Sequence, residues 1–218
     1  LYLTERPGRI RVVTNGQLQP APVASLDVAT GGEAGLLGLA LDPDFQSTRQ
    51  LYVAHTYHTA SGGFVNRLIR LREDSSSGLF KLDQVLLDGI KGAGIHDGGR
   101  VRIGADGKLY LSAGDTGDGR LAEQGSSLNG KILRLNLDGT IPSDNPTPGS
   151  PVYSMGHRNP QGLAWQPRTE QLYATEHGPS ASQGCCHDEI NRILPGGNYG
   201  WPMIIGSQQR EGLISPVW

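Results

Sequence analysis

The chain has 218 residues, 32 of them Gly and 14 Pro, against only 3 Phe and 2 Met. Its formal charge of −2 offers no basic field for nucleic acid, and its Lys and Arg are too dispersed for a membrane-surface patch. No apolar run reaches the ~18 residues a membrane span needs. Short, regular apolar runs exclude disorder, and the Gly spacing excludes collagen, which leaves a turn-rich all-β protein.

In chain order, the first stretch, LYLTERPGRI, lacks the basic-then-apolar pattern of a signal peptide and reads as mid-domain sequence. A Leu-Tyr pair then recurs at Leu1-Tyr2, Leu51-Tyr52, Leu109-Tyr110 and Leu172-Tyr173, at intervals of 50, 58 and 63 residues. The last three pairs follow a Gly- or Pro-led apolar run and a turn: GLLGLALDPDFQSTRQLYVAHT, GGRVRIGADGKLYLSAGD and PQGLAWQPRTEQLYATEHG. Each predicts two short strands joined at a Pro/Asp/Gly turn. A third strand comes next, in GRIRVV, NRLIRLRED, GKILRLNLDG and NRILPGG, where period-two alternation predicts basic side chains on one face and Ile or Leu on the other.

A unit of ~40–60 residues with three or four strands predicts a β-propeller, with a β-sandwich as the alternative. The expectation is one propeller domain over residues 1–218, of about four blades, with the first and last incomplete. An open ring would leave bare strand edges, so the chain is expected either to be a fragment incomplete at its C-terminal side or to close in an atypical way.

Four places carry candidate chemistry. His96, in GIHDGGRV, sits in a Gly-rich loop at a strand start and has the pKa range of a general base; the bland alternative is one local hydrogen bond. Its neighbour Asp97 is given no role, because sequence neighbours on a strand point to opposite faces. Arg158-Asn159 places a planar guanidinium beside a carboxamide, fixed donors for an anionic or quinone oxygen, or a cap on exposed carbonyls. Gly178-Pro179 is a turn that can expose two carbonyls, which suit a hard cation. Asp188-Glu189 is an acid pair beside Cys185-Cys186, two adjacent cysteines that either close a vicinal disulfide or stay as thiols.

Seven motifs in order resemble the soluble, pyrroloquinoline quinone (PQQ) dependent glucose/sorbosone dehydrogenase family: GGEAGLLGLALDPDF, IHDGGRVRIGADGKLYLSAGDTG, GKILRLNLDGTIPSDNP, GHRNPQGLAW, EHGP, DEINRI and GGNYGWP. The resemblance runs from Leu3 to about Pro202 and implies a propeller of the six-bladed type. It further implies oxidation of an aldose at C1 to the lactone, hydride passing to PQQ and an external acceptor taking the electrons. In that scheme His96 is the base, Arg158 and Asn159 donate to the PQQ carbonyls, and Gly178 and Pro179 bind the calcium that holds PQQ. Glu33 stands where many relatives carry a Gln that contacts sugar or cofactor. Glu189 and the Tyr199 carbonyl match the start of a second calcium site, whose further acidic ligands are missing between Met203 and Gln209. Family habit implies a periplasmic or secreted location. The other reading is a non-catalytic extracellular propeller that binds a protein or carbohydrate ligand.

Overall fold

The computed structural model describes residues 1–180 and 186–218. Cys185, and with it the vicinal pairing, lies outside the described residues. The chain divides into two compact units, Leu1–Ile95 and His96–Trp218. Each unit holds two antiparallel sheets of the kind that form propeller blades.

In the first unit, β1 (Tyr2–Glu5), β2 (Arg9–Thr14), β3 (Gln17–Leu18) and β4 (Ala24–Ser25) make one sheet. The next is a meander of β5 (Leu36–Leu41), β6 (Gln50–His58), β7 (Phe64–Glu73) and β8 (Phe80–Lys91), with the single turn α1 (Phe45–Thr48) before β6. Ile10, Leu36, Leu51, Val53, Ile69 and Leu71 form its core. The ring of Tyr2 stands edge-on to Phe45 and Phe80, with centroids 5.4 and 5.9 Å apart.

In the second unit, β9 (Val101–Ile103), β10 (Leu109–Ala113), β11 (Lys131–Leu135) and β12 (Val152–Met155) form the third sheet, with the turn α2 (Arg120–Glu123) before β11. The fourth contains β13 (Pro160–Trp165), β14 (Leu172–Glu176) and β15 (Glu189–Arg192). Its core gathers Tyr110, Ile132, Leu163, Leu172, Ile193 and Tyr199. Among the described residues no helix is long and apolar enough to cross a membrane.

The Leu-Tyr recurrence has a physical cause in two of these sheets. The Leu packs in the core, and the Tyr hydroxyl reaches back to its own hairpin turn. Tyr52 donates to Asp42 at 2.7 Å, and Tyr110 donates to Asp106 at 2.9 Å. The same carboxylates accept turn N–H groups from Asp44 and Lys108, so each turn is fixed from both sides. Burial is the main reason both phenols are raised in pKa.

The expected one-sided basic face holds in β2 and β7, where Arg9 and Arg11 flank buried Ile10 and Arg70 and Arg72 flank buried Leu71, but not in β11. In β11 every residue is buried, because neighbouring structure covers both faces. Lys131 is fully buried, and its ammonium donates to the carbonyls of Leu121, Ala122 and Asn129 at 2.8–2.9 Å. Arg134, an odd number of residues away and so on the opposite face, pairs with Asp106 and Asp144.

Candidate active site

His96 opens the second unit, ahead of β9. Its φ of 54° lies in the left-handed region, uncommon for a residue with a side chain. The turn depends on close backbone approach: a Cβ on Gly114 would stand 2.0 Å from the His96 carbonyl oxygen, so no other residue fits there. The β9–β10 hairpin, with Val101 opposite Leu111, returns the chain to His96 and delivers Asp115 just past β10. His96 Nδ1 lies 2.6 Å from Asp115 Oδ1, and the acid's side chain is 1% exposed. Asp115 also accepts from Gly117 N and from the indole N–H of Trp201, both at 2.7 Å. A carboxylate on Nδ1 holds the proton there and leaves the imidazole lone pair on Nε2.

Asp115 reaches the second candidate group through its backbone, its N–H donating to the Arg158 carbonyl at 2.8 Å. Arg158 is buried, donates from Nη1 to the His177 carbonyl at 3.1 Å, and lies over the Trp201 ring, 5.5 Å from its centroid. Its Nε is buried with no hydrogen-bond acceptor. A buried donor left unmade costs ~1–3 kcal/mol, so this edge is suited to a planar acceptor brought from outside. Asn159 is buried beside it, and its Oδ1 accepts from Gln161 Nε2 at 3.0 Å.

The segment is anchored from beneath by Glu176, at the end of β14. One carboxylate oxygen accepts the Arg158 backbone N–H; the other lies 2.8 Å from His157 Nδ1. His157 is fully buried, has Ser154 Oγ 2.8 Å from its other nitrogen, and stacks on Tyr199 with centroids 4.7 Å apart.

Gly178 and Pro179 follow β14 after one residue, His177. A Cβ on Gly178 would lie 2.1 Å from the His187 carbonyl oxygen, so glycine is required. The Gly178 N–H donates to Asp188 at 3.0 Å. Among the described residues neither carbonyl of the pair accepts a hydrogen bond. One cavity is lined by Arg158, Gly178, Pro179, Glu189, Tyr199 and Trp201, with Glu176 also on its wall. Glu189 and Tyr199, which the sequence assigns to a separate metal site, therefore share a cavity with Gly178 and Pro179.

Glu189 accepts from Gly206 N and Asn191 Nδ2, at 3.0 and 3.1 Å. Burial, and then the nearby charge of Glu176, raise its pKa. A cation in that cavity would offset this cost. The Tyr199 hydroxyl donates to the Arg192 carbonyl at 2.6 Å, and burial pushes its pKa up to about 12. Among the described residues no group of three His, Cys, Asp or Glu side chains could hold a metal. A metal here would rely on backbone carbonyls, the habit of hard calcium rather than of zinc.

Glu33 belongs to the first unit, on an exposed turn ahead of β5 where its N–H donates to the Gly94 carbonyl. Three residues of the site escape sequence reasoning: Asp115, Glu176 and Trp201. Asp97, the sequence neighbour of His96, is buried but is not the acid on Nδ1. The discoverable signal was the hairpin itself, since the strand after GIHDGGRV must bring SAGD back beside His96.

A buried carboxylate thus pairs with a half-buried imidazole and, through its backbone N–H, holds the carbonyl of the residue that carries a buried guanidinium. The chain belongs to the Glucose / Sorbosone dehydrogenase family, whose pattern matches residues 1–216. It is 37% identical over 208 residues to quinoprotein glucose dehydrogenase B of Acinetobacter calcoaceticus, covering 83% of this chain and 42% of that protein. It is 33% identical over 225 residues to aldose sugar dehydrogenase YliI of Escherichia coli, covering 99% and 59%. The chain thus spans about half the length of these curated relatives. The PQQ-bound aldose sugar dehydrogenase of Streptomyces coelicolor is similar in structure, with a TM-score of 0.89 and 38% identity, covering all of this chain and 63% of that one.

Proposed function

We propose that the protein oxidises an aldose at C1 to the lactone, with PQQ and calcium as cofactors, an external electron acceptor and a periplasmic or secreted location. The observation that carries the reading is Asp115, whose side chain pairs with His96 and whose N–H binds the carbonyl of Arg158. PQQ supplies the hydride acceptor.

The donor set fits that group. The buried, unpaired Arg158 Nε and the adjacent Asn159 amide would meet its carbonyl oxygens, and the Gly178 and Pro179 carbonyls would hold calcium against it. Glu189 and the Tyr199 carbonyl would line the same cation-binding cavity. His96 Nε2 takes the proton of the C1 hydroxyl as the C1–H bond gives up its hydride and the C1=O bond forms. Asp115 stabilises the imidazolium so produced. Glu33 is assigned to substrate or cofactor contact on the resemblance alone.

Titration of the protein with PQQ and calcium, followed by a panel of aldoses, tests this by absorbance. The expected result is saturable binding and sugar-dependent reduction. His96→Ala should keep PQQ binding and lower turnover by about 10²–10⁴-fold, the range of a general base. No reduction by any aldose, or unchanged turnover in His96→Ala, contradicts the reading.

A further inference from the structure

Trp201 stands outside every role assigned so far, yet it touches both halves of the site. Its indole N–H donates to Asp115 Oδ2 at 2.7 Å, while His96 occupies Oδ1 of the same carboxylate. Its ring lies under the Arg158 guanidinium, 5.5 Å from ring centroid to Cζ, within cation–π range. The tryptophan arrives from 86 residues further along the chain than Asp115, so neither contact follows from local backbone geometry. Gly119 leaves the indole its place: a Cβ there would lie 3.0 Å from Trp201 Nε1 and 3.1 Å from Pro202 Cβ.

We propose that Trp201 is a positioning residue that sets the His96–Asp115 pair and the Arg158 guanidinium in one fixed relation. The indole N–H fixes the second oxygen of Asp115, so the carboxylate cannot rotate away from the imidazole. The ring face holds the guanidinium plane, which aims the buried Nε. Proton removal and stabilisation of the accepting group must occur together, so a shared support for the two groups serves both. A misplacement of about 1 Å at such a site can cost about 10²-fold in rate. The consequence for turnover rests on the dehydrogenase reading; the coupling of the two groups does not.

Trp201→Phe separates the two contacts, because phenylalanine keeps an aromatic face for Arg158 and removes the N–H to Asp115. Two readouts are made together. In the protein without added cofactor, proton NMR follows the His96 Nδ1–H resonance, expected far downfield from its carboxylate contact. It should move or broaden in Trp201→Phe. In the wild-type fold, the Trp201 Nε1–H resonance should move when Asp115→Asn is introduced, a check that does not depend on the Phe variant folding. With PQQ and calcium, Trp201→Phe should bind PQQ within about threefold of wild type and turn over at least tenfold more slowly. Resonances unchanged in both variants overturn the proposal, as does unchanged turnover in a Trp201→Phe protein that binds PQQ. Failure of the wild type to bind PQQ would instead sink the functional reading, and the two resonances would still decide the Trp201 inference.

Discussion

Two histidines, one in each unit, differ in the charge of the side chain that each imidazole meets. His55, on β6 of the first unit, is 1% exposed, and its Nε2 accepts from the Arg67 guanidinium at 2.8 Å. Burial, and then the Arg67 charge, lower its pKa to about 4, so it stays neutral. His96 faces a carboxylate instead, and its side chain is 14% exposed. The Arg67 cation beside His55 suppresses its proton uptake. Both side chains come from all-β frameworks stapled the same way. What differs is the backbone: His55 sits within a continuous strand, whereas His96 sits in a left-handed turn that Gly114 permits.

The comparison is sharpest under acid. His55 has a folded pKa below its unfolded value of about 6.5. Below pH 6.5 the unfolded chain therefore takes a proton that the folded chain refuses. Stability from this group is complete above pH 6.5 and is lost as pH falls towards 4, by roughly 3 kcal/mol at 1.36 kcal/mol per unit. His55→Gln keeps an acceptor for Arg67 and should lose clearly less stability than wild type between pH 7.5 and 4.5 in chemical denaturation. Equal losses would show that His55 is not the acid-sensitive group.

A smaller effect compares the two tyrosine staples. Tyr52→Phe leaves a buried Asp42 oxygen without its donor and should cost about 1–3 kcal/mol. Tyr110→Phe should cost less, because Arg134 still donates twice to the same Asp106 oxygen. Thermal denaturation of both variants ranks them; a costlier Tyr110→Phe would contradict the staple account.

The strands were legible because their signals are local. Alternation, Asp-Gly and Asp-Pro turns and the Leu-Tyr pairs all lie within one hairpin, and β5–β6, β9–β10 and β13–β14 form where they predict. The candidate residues His96, Arg158, Asn159, Gly178 and Pro179 were visible as polar or turn residues in Gly-rich loops. Their supports were not. Asp115 lies 19 residues from His96, Glu176 lies 18 from Arg158, and Trp201 lies 86 from Asp115. Each contact depends on sheet register or loop packing that no short window contains. The basic residues of β11 were misread for a related reason: alternation tells which face a side chain takes, not whether that face is covered.

In the proposed reaction Asp115 makes His96 a base while its backbone holds the Arg158 loop. Asp115→Asn keeps the backbone N–H and the side-chain shape but removes the charge facing the imidazole. Turnover and PQQ affinity measured on this variant separate those duties. The account predicts PQQ binding within about threefold of wild type and turnover lowered by at least 10²-fold, within the range of general-base catalysis. Turnover within a fewfold of wild type would contradict it.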